Sequence, residues 1–134
     1  MPLSSATEKD LDSVSKQLGR PVRDIVAIAA RCACGNPIVV QTKPRLEDGT
    51  PFPTLYYLTL PAATSAVSTL EAEGLMTKLQ DQLAQDEDLA KNYQSAHLSY
   101  LSDRAELGLV EEIEGISAGG MPTRVKCLHS LVAH

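Results

Sequence analysis

From residue 25 to residue 60 the apolar residues fall in three short runs, and beyond Val67 they recur at intervals of three and four. That change of period constrains the fold more than any other feature. A strand face repeats every two residues and a helix face about every 3.6, so the first half must pair strands and the second half must pack helices on them. Residues 25–30 are continuously apolar and bounded by Pro21 and by Cys32-Ala33-Cys34-Gly35, which reads as a buried strand. Residues 38–42 are β-branched and follow Gly35-Asn36-Pro37. They return as the second arm of a hairpin with Cys32 and Cys34 at its tip. After an irregular loop over residues 43–53, residues 55–60 form a third strand that Pro61 ends.

The flanking segments supply the helices. Thr7 and Asp10 are spaced as a cap for a helix carrying Leu11, Val14 and Leu18, with Gly19 as its stop. Val67, Leu70, Leu75, Leu79 and Leu83 mark one or two helices interrupted near Gly74, and Asp86 caps another that runs to about Leu107. On that last helix Leu89, Tyr93, His97, Tyr100, Arg104 and Leu107 share a face. A terminal helix is expected to begin at Pro122, where the missing N–H is harmless. The sum is an α+β fold, a small three-stranded antiparallel sheet backed by about four helices. The 134 residues suffice for one domain, 1–134, without disulfide staples.

Charge and cysteine usage narrow the function classes. A net charge of −5 argues against a generic nucleic-acid surface. No window is long and apolar enough for a membrane span, and the N-terminus lacks a signal-peptide pattern, so a cytoplasmic location is expected. In a reducing compartment three cysteines read as free thiols, and metal binding or reactivity ranks above disulfide pairing.

The chemistry-bearing residues gather at two places. Cys32 and Cys34 bring two sulfurs near enough for one zinc if the strand has ended by Cys32; in a straight strand they would lie about 6.5 to 7 Å apart. Downstream stand Cys127, His129 and His134. In a regular helix Cys127 and His129 point about 200° apart, and Cys127 and His134 are separated by roughly 10.5 Å along the axis, so one ion cannot take all three. The expected ligand set is Cys32, Cys34 and Cys127, completed by His129 or by His97. Zinc leads, because thiolate and imidazole both suit it, and an iron–sulfur cluster is the alternative. A different reading is a phosphate or carboxylate site: Gly119 and Gly120 expose backbone N–H groups before a helix start, with Thr123, Arg124, Lys126 and Arg45 around them and Arg104 converging there. It would serve a phosphorylated small molecule. Asp48 and Glu71 are further polar groups that bear inspection. Catalysis by Cys127 is disfavoured, since no base shares its helix face, and no reaction is assigned.

Four segments also resemble a known family: Arg31-Cys32-Ala33-Cys34-Gly35-Asn36-Pro37, residues 44–59 with Pro51-Phe52-Pro53-Thr54-Leu55-Tyr56-Tyr57-Leu58-Thr59, Ala96-His97, and residues 117–129 with Gly119-Gly120-Met121-Pro122-Thr123-Arg124-Val125-Lys126-Cys127-Leu128-His129. They closely resemble the bacterial domain of unknown function 501. The resemblance implies an intracellular bacterial protein, a chain that continues past His134 with a short helix and a loop, and genes beside those of a septum-formation protein, an exopolyphosphatase and enolase. A protein partner in cell division follows by analogy only, and no activity is implied.

Overall fold

A computed structural model describes residues 3–117, 121–125 and 127–134. Its strands are β1 (Ser4–Ser5), β2 (Ile25–Arg31), β3 (Pro37–Thr42) and β4 (Tyr56–Leu58), and its helices are α1 (Glu8–Leu18), α2 (Pro61–Ala72), α3 (Leu75–Gln85), α4 (Glu87–Ala105) and α5 (Leu128–Ala133), with a 3-10 turn at Glu111–Ile113. The sheet is antiparallel throughout, in the order β1-β2-β3-β4. The fold is α+β as expected, but the sheet has four strands. The added one is the pair Ser4–Ser5, matched to Ile28 and Ala27, and two exposed serines carry no apolar alternation from which a strand could be read.

The third expected strand is shorter than residues 55–60, yet its ends remain tied to β3. Thr42 N donates to Leu55 O at 2.8 Å and Thr59 N to Ile38 O at 2.9 Å. Alternation along β3 then divides the core. Val40 faces Val14 of α1 together with Ile28, whereas Val39 and Leu58 face Val67 of α2 and Leu128 and Ala133 of α5. Helix α1 therefore covers one face of the sheet, and α2, α3 and α5 cover the other. Gly74, at φ 84°, separates α2 from α3 as a left-handed residue that a side chain would strain. On α4 the buried residues are His97, Tyr100 and Arg104, three members of the face expected from their spacing.

The terminal helix is a correction. It begins at Leu128, not Pro122: residues 121–124 form a turn, the Met121–Pro122 peptide is cis, and Cys127 occupies the N-cap position. Proline at a helix start is permitted by its geometry, but it fits a turn equally well, and here the turn prevails.

The start of α1 is built as its spacing predicts. Asp10 N donates to Thr7 Oγ1 at 3.2 Å, and Thr7 N donates to Asp10 Oδ2 at 3.0 Å. The buried Asp10 carboxylate also accepts from Nη1 and Nη2 of Arg31, at 2.7 and 2.8 Å, and Arg31 donates further to Ser4 Oγ and the Gly35 carbonyl. One ion pair thus fastens α1, β1 and the hairpin tip. Arg31, and then the Thr7 N–H, hold the Asp10 carboxyl well below the usual carboxylate range. Because the folded value is depressed, this stabilisation is complete above the unfolded value of about 4 and is lost as the pH falls below it. Asp10→Asn is expected to flatten the acid limb of the stability curve measured by denaturant unfolding at successive pH values. An unchanged acid limb would contradict the assignment. Thr7→Ala, which removes the cap hydroxyl and leaves the Arg31 pair and the Thr7 N–H in place, should cost about 1 kcal/mol and change that limb much less.

Candidate metal centre

Helix α2 presents Thr64, Ser68 and Glu71 at spacings of four and three, so they line one edge of the helix. Leu128 is 2% exposed and packs into the core with Val67, which presses the start of α5 against that edge. Cys127 and His129 flank Leu128 and are held beside α2 by its burial. The Glu71 carboxylate accepts the Leu128 N–H at 2.9 Å, satisfying a donor that a helix start leaves without an intrahelical partner.

The imidazole of His129 is clamped on two sides. Its Nε2 lies 3.2 Å from the Thr64 carbonyl oxygen and 3.1 Å from Ser68 Oγ. A carbonyl only accepts, so Nε2 must carry a hydrogen. Its Nδ1 then faces Glu71 Oε1 at 3.4 Å, and one ligand atom each of Glu71, Cys127 and His129 lie within 4.8 Å of one another. In the neutral ring, Nδ1 presents a lone pair to the Glu71 carboxylate, while the Cys127 thiol in the same group donates to Ser130 Oγ at 3.6 Å. Either a proton on Nδ1 or a cation among the three groups relieves that opposition. Tetrahedral zinc places its ligand atoms about 3.5 Å apart, so small side-chain rotations would complete the contraction. The Thr64 carbonyl is the kind of outer partner that fixes the tautomer of a metal-bound histidine. Glu71 and His129 are both half-buried and Cys127 is exposed, leaving the group open to solvent on one side.

The expected ligand set is therefore divided. Strand β2 does end at Arg31, so the turn required for Cys32 and Cys34 is present, and their Cα atoms stand 5.3 Å apart. The two sulfurs, however, are bonded to each other in a disulfide. That reverses the ranking of thiol over disulfide: the turn that brings two sulfurs within reach of one ion also brings them within reach of each other. A disulfide sulfur carries no thiolate charge to donate to a metal. Its stabilising effect is small, since closing a loop of about three residues contributes about 1.6 kcal/mol in the chain-entropy account. Cys127 lies with Glu71 and His129 instead. His97 is a buried core residue whose Nδ1 is 2.7 Å from Ser117 Oγ, and it stands outside that group. His134 packs its ring on Tyr56 and edge-on to Tyr100.

The residues of the anion reading are also dispersed. Arg45 pairs with Glu112 at 2.7 Å and donates to the Gly49 carbonyl at 2.8 Å. Arg104 is buried between the Pro53 and Ile113 carbonyls. Neither arginine joins the 121–124 turn, where Thr123 and Arg124 are exposed and their carbonyls accept from Gln80 and Tyr93. Gly119, Gly120 and Lys126 lie outside the described residues.

Glu71 was not among the expected ligands. Nothing local marks it: it is an acidic residue near the end of a helix, and its partners stand 56 and 58 residues downstream, at positions 127 and 129. Two clefts elsewhere, of about 470 and 540 Å³, are lined by other residues. Among the described residues no helix is long and apolar enough to cross a membrane.

No curated protein and no solved structure matches this chain. A family described as "Protein of unknown function (DUF501)" matches residues 28–134, a span that holds Cys32, Cys34, Glu71, Cys127 and His129. With most of its length matched, the chain belongs to the DUF501 family.

Proposed function

We propose that this chain is a small metal-binding domain whose ion is held at the junction of α2 and α5 by Cys127, His129 and Glu71. The observation that carries the reading is the clamped His129 ring: with Nε2 committed to the Thr64 carbonyl, the Nδ1 lone pair is turned toward the Glu71 carboxylate with the Cys127 sulfur in the same group, and one cation between them would satisfy all three. A soft sulfur, an imidazole nitrogen and a carboxylate oxygen together favour zinc among the common divalent ions. An iron–sulfur cluster is the weaker choice, because Cys32 and Cys34 are joined and only Cys127 keeps its thiol. Three protein ligands leave a fourth position to water or to a bound group, the arrangement of an open site. The ion would also fasten the short α5 to α2, coupling metal binding to the packing of the chain's end.

Metal analysis and native mass spectrometry of the full chain, purified without a metal-affinity resin, test this. About one equivalent of zinc is expected. Less than about a tenth of an equivalent after incubation with zinc would leave the imidazolium–carboxylate pair as the whole account of the geometry.

A further inference from the structure

We infer that Cys32 and Cys34 form a thiol–disulfide exchange site on the hairpin tip, with a thiol or dithiol as co-reactant. Four observations point there. The cysteines are bonded to each other at the end of β2, with Cys34 exposed and Cys32 half-buried. The turn is closed without the sulfurs: Cys32 N donates to Asn36 O and Gly35 N to Cys32 O, each at 2.9 Å. Its base is fixed from outside, because Arg31 donates to the Gly35 carbonyl at 3.0 Å while paired with Asp10, and Gln17 donates to the Pro37 carbonyl at 2.9 Å. Gly35 takes a φ of 91°, which glycine adopts without strain, so the turn has its own reason to persist.

A covalent link across a single intervening residue removes less chain entropy than any longer one, so its contribution as a staple is small. Where the backbone already fixes the turn, breaking the link leaves two thiols side by side, and re-forming it needs no rearrangement of the chain. The exposed sulfur of Cys34 is the accessible electrophile. A co-reactant thiolate bonds to Cys34 Sγ as the bond between the two cysteine sulfurs breaks, and the electron pair leaves on Cys32, whose thiolate takes a proton from water. The second thiol of the co-reactant loses its proton and attacks its own sulfur in the mixed disulfide, and Cys34 leaves as a thiolate that is protonated in turn. The co-reactant dithiol ends as a disulfide, and the cysteine pair has gained two electrons and two protons. Run backwards, the reduced pair reduces a disulfide substrate. This site shares no residue with the α2–α5 junction, and its outcome is independent of the metal reading.

The test is a redox titration of the full chain against dithiothreitol and against glutathione, with alkylation and peptide mass mapping to locate each thiol. Cys32 and Cys34 are expected to appear and disappear together in one reversible two-electron step, with the far-ultraviolet circular dichroism unchanged and the melting temperature lowered on reduction by no more than about 8 °C. In Cys32→Ser, oxidised glutathione should form a mixed disulfide at Cys34 at least about tenfold faster than at Cys32 in Cys34→Ser. A link that resists excess dithiothreitol in the folded protein overturns the inference. So does reduction that unfolds the chain, which would make the link a staple, and so does a reduced pair that binds zinc and no longer reoxidises.

Discussion

Cys127→Ser and His129→Gln should each lower the affinity for zinc, read by competition with a chromophoric chelator, by more than the 10- to 100-fold that loss of an outer-shell partner typically costs. Each change removes a donor atom outright: the serine hydroxyl is a poor zinc ligand at neutral pH, and the glutamine amide nitrogen has no lone pair to offer. Glu71→Gln separates two roles of one side chain. The amide oxygen can still accept the Leu128 N–H, so α5 should keep its place, while the carboxylate charge is gone and zinc binding weakens. Ser68→Ala, which removes one contact to Nε2 and leaves the Thr64 carbonyl, should cost no more than about tenfold. Thiolate and imidazole ligation are both lost on protonation, so the affinity should fall as the pH is lowered. In the wild type, zinc at 100 times its dissociation constant should add about 2.7 kcal/mol to stability, and in the ligand variants that increment should vanish. Variants that bind zinc as tightly as the wild type would refute the assignment of all three ligands.

The parts of the fold that were legible in the sequence are those in which one local cause acts alone. Thr7 with Asp10, Gly74 between two leucine-spaced runs, and Asp86 before an apolar stripe each specify a helix boundary within four residues of the cause. The strand–turn–strand pattern around Gly35-Asn36-Pro37 is equally local, and β2 and β3 fall where it places them. The misses share the opposite character. Ser4 and Ser5 pair with β2, and Arg31, more than twenty residues away and paired with Asp10, donates to Ser4 Oγ and holds the N-terminal segment against the sheet. Pro122 is compatible with a helix start and with a turn; Gln80, from α3, accepts the Val125 N–H at 2.8 Å and donates toward the Thr123 carbonyl, and so holds the segment as a turn. The candidate site divides in the same way. Cys127 and His129 stand out by residue type, whereas Glu71 joins them only because Leu128 is buried against α2. A three-cysteine count also invites a single shared ion, and spacing alone could not show that the close pair would satisfy itself.

Arg104→Met should destabilise the fold by about 3–5 kcal/mol, the largest loss expected from a residue outside the candidate site, and should lower the melting temperature by more than about 10 °C. Arg104 is 5% exposed, on the buried face of α4. Its Nη1 donates to the Pro53 carbonyl at 3.0 Å and its Nη2 to the Ile113 carbonyl at 2.8 Å, joining the end of the 43–53 loop to the 3-10 turn across one guanidinium. Burial pulls its pKa down from the usual arginine value, with the neighbouring Tyr100 acting weakly in the opposite sense, and a guanidinium starts so far above neutrality that the charge persists. Methionine keeps the aliphatic stem and most of the packing but takes the guanidinium donor from the Pro53 carbonyl, a stranded acceptor costing about 1–3 kcal/mol, and removes a charge-assisted bond worth about 1.5–3 kcal/mol from the Ile113 carbonyl, which keeps the Ile116 N–H. Lysine preserves the charge, yet one ammonium cannot span two acceptors that the planar fork reaches together, so Arg104→Lys should fall between methionine and the wild type. Tyr100→Phe provides the calibration: it removes the hydroxyl oxygen that accepts the Leu55 N–H, and should cost about 1–2 kcal/mol. If denaturant unfolding gave Arg104→Met a loss no larger than that of Tyr100→Phe, the two carbonyls would be finding water, and the guanidinium would be filling space without binding the two segments together.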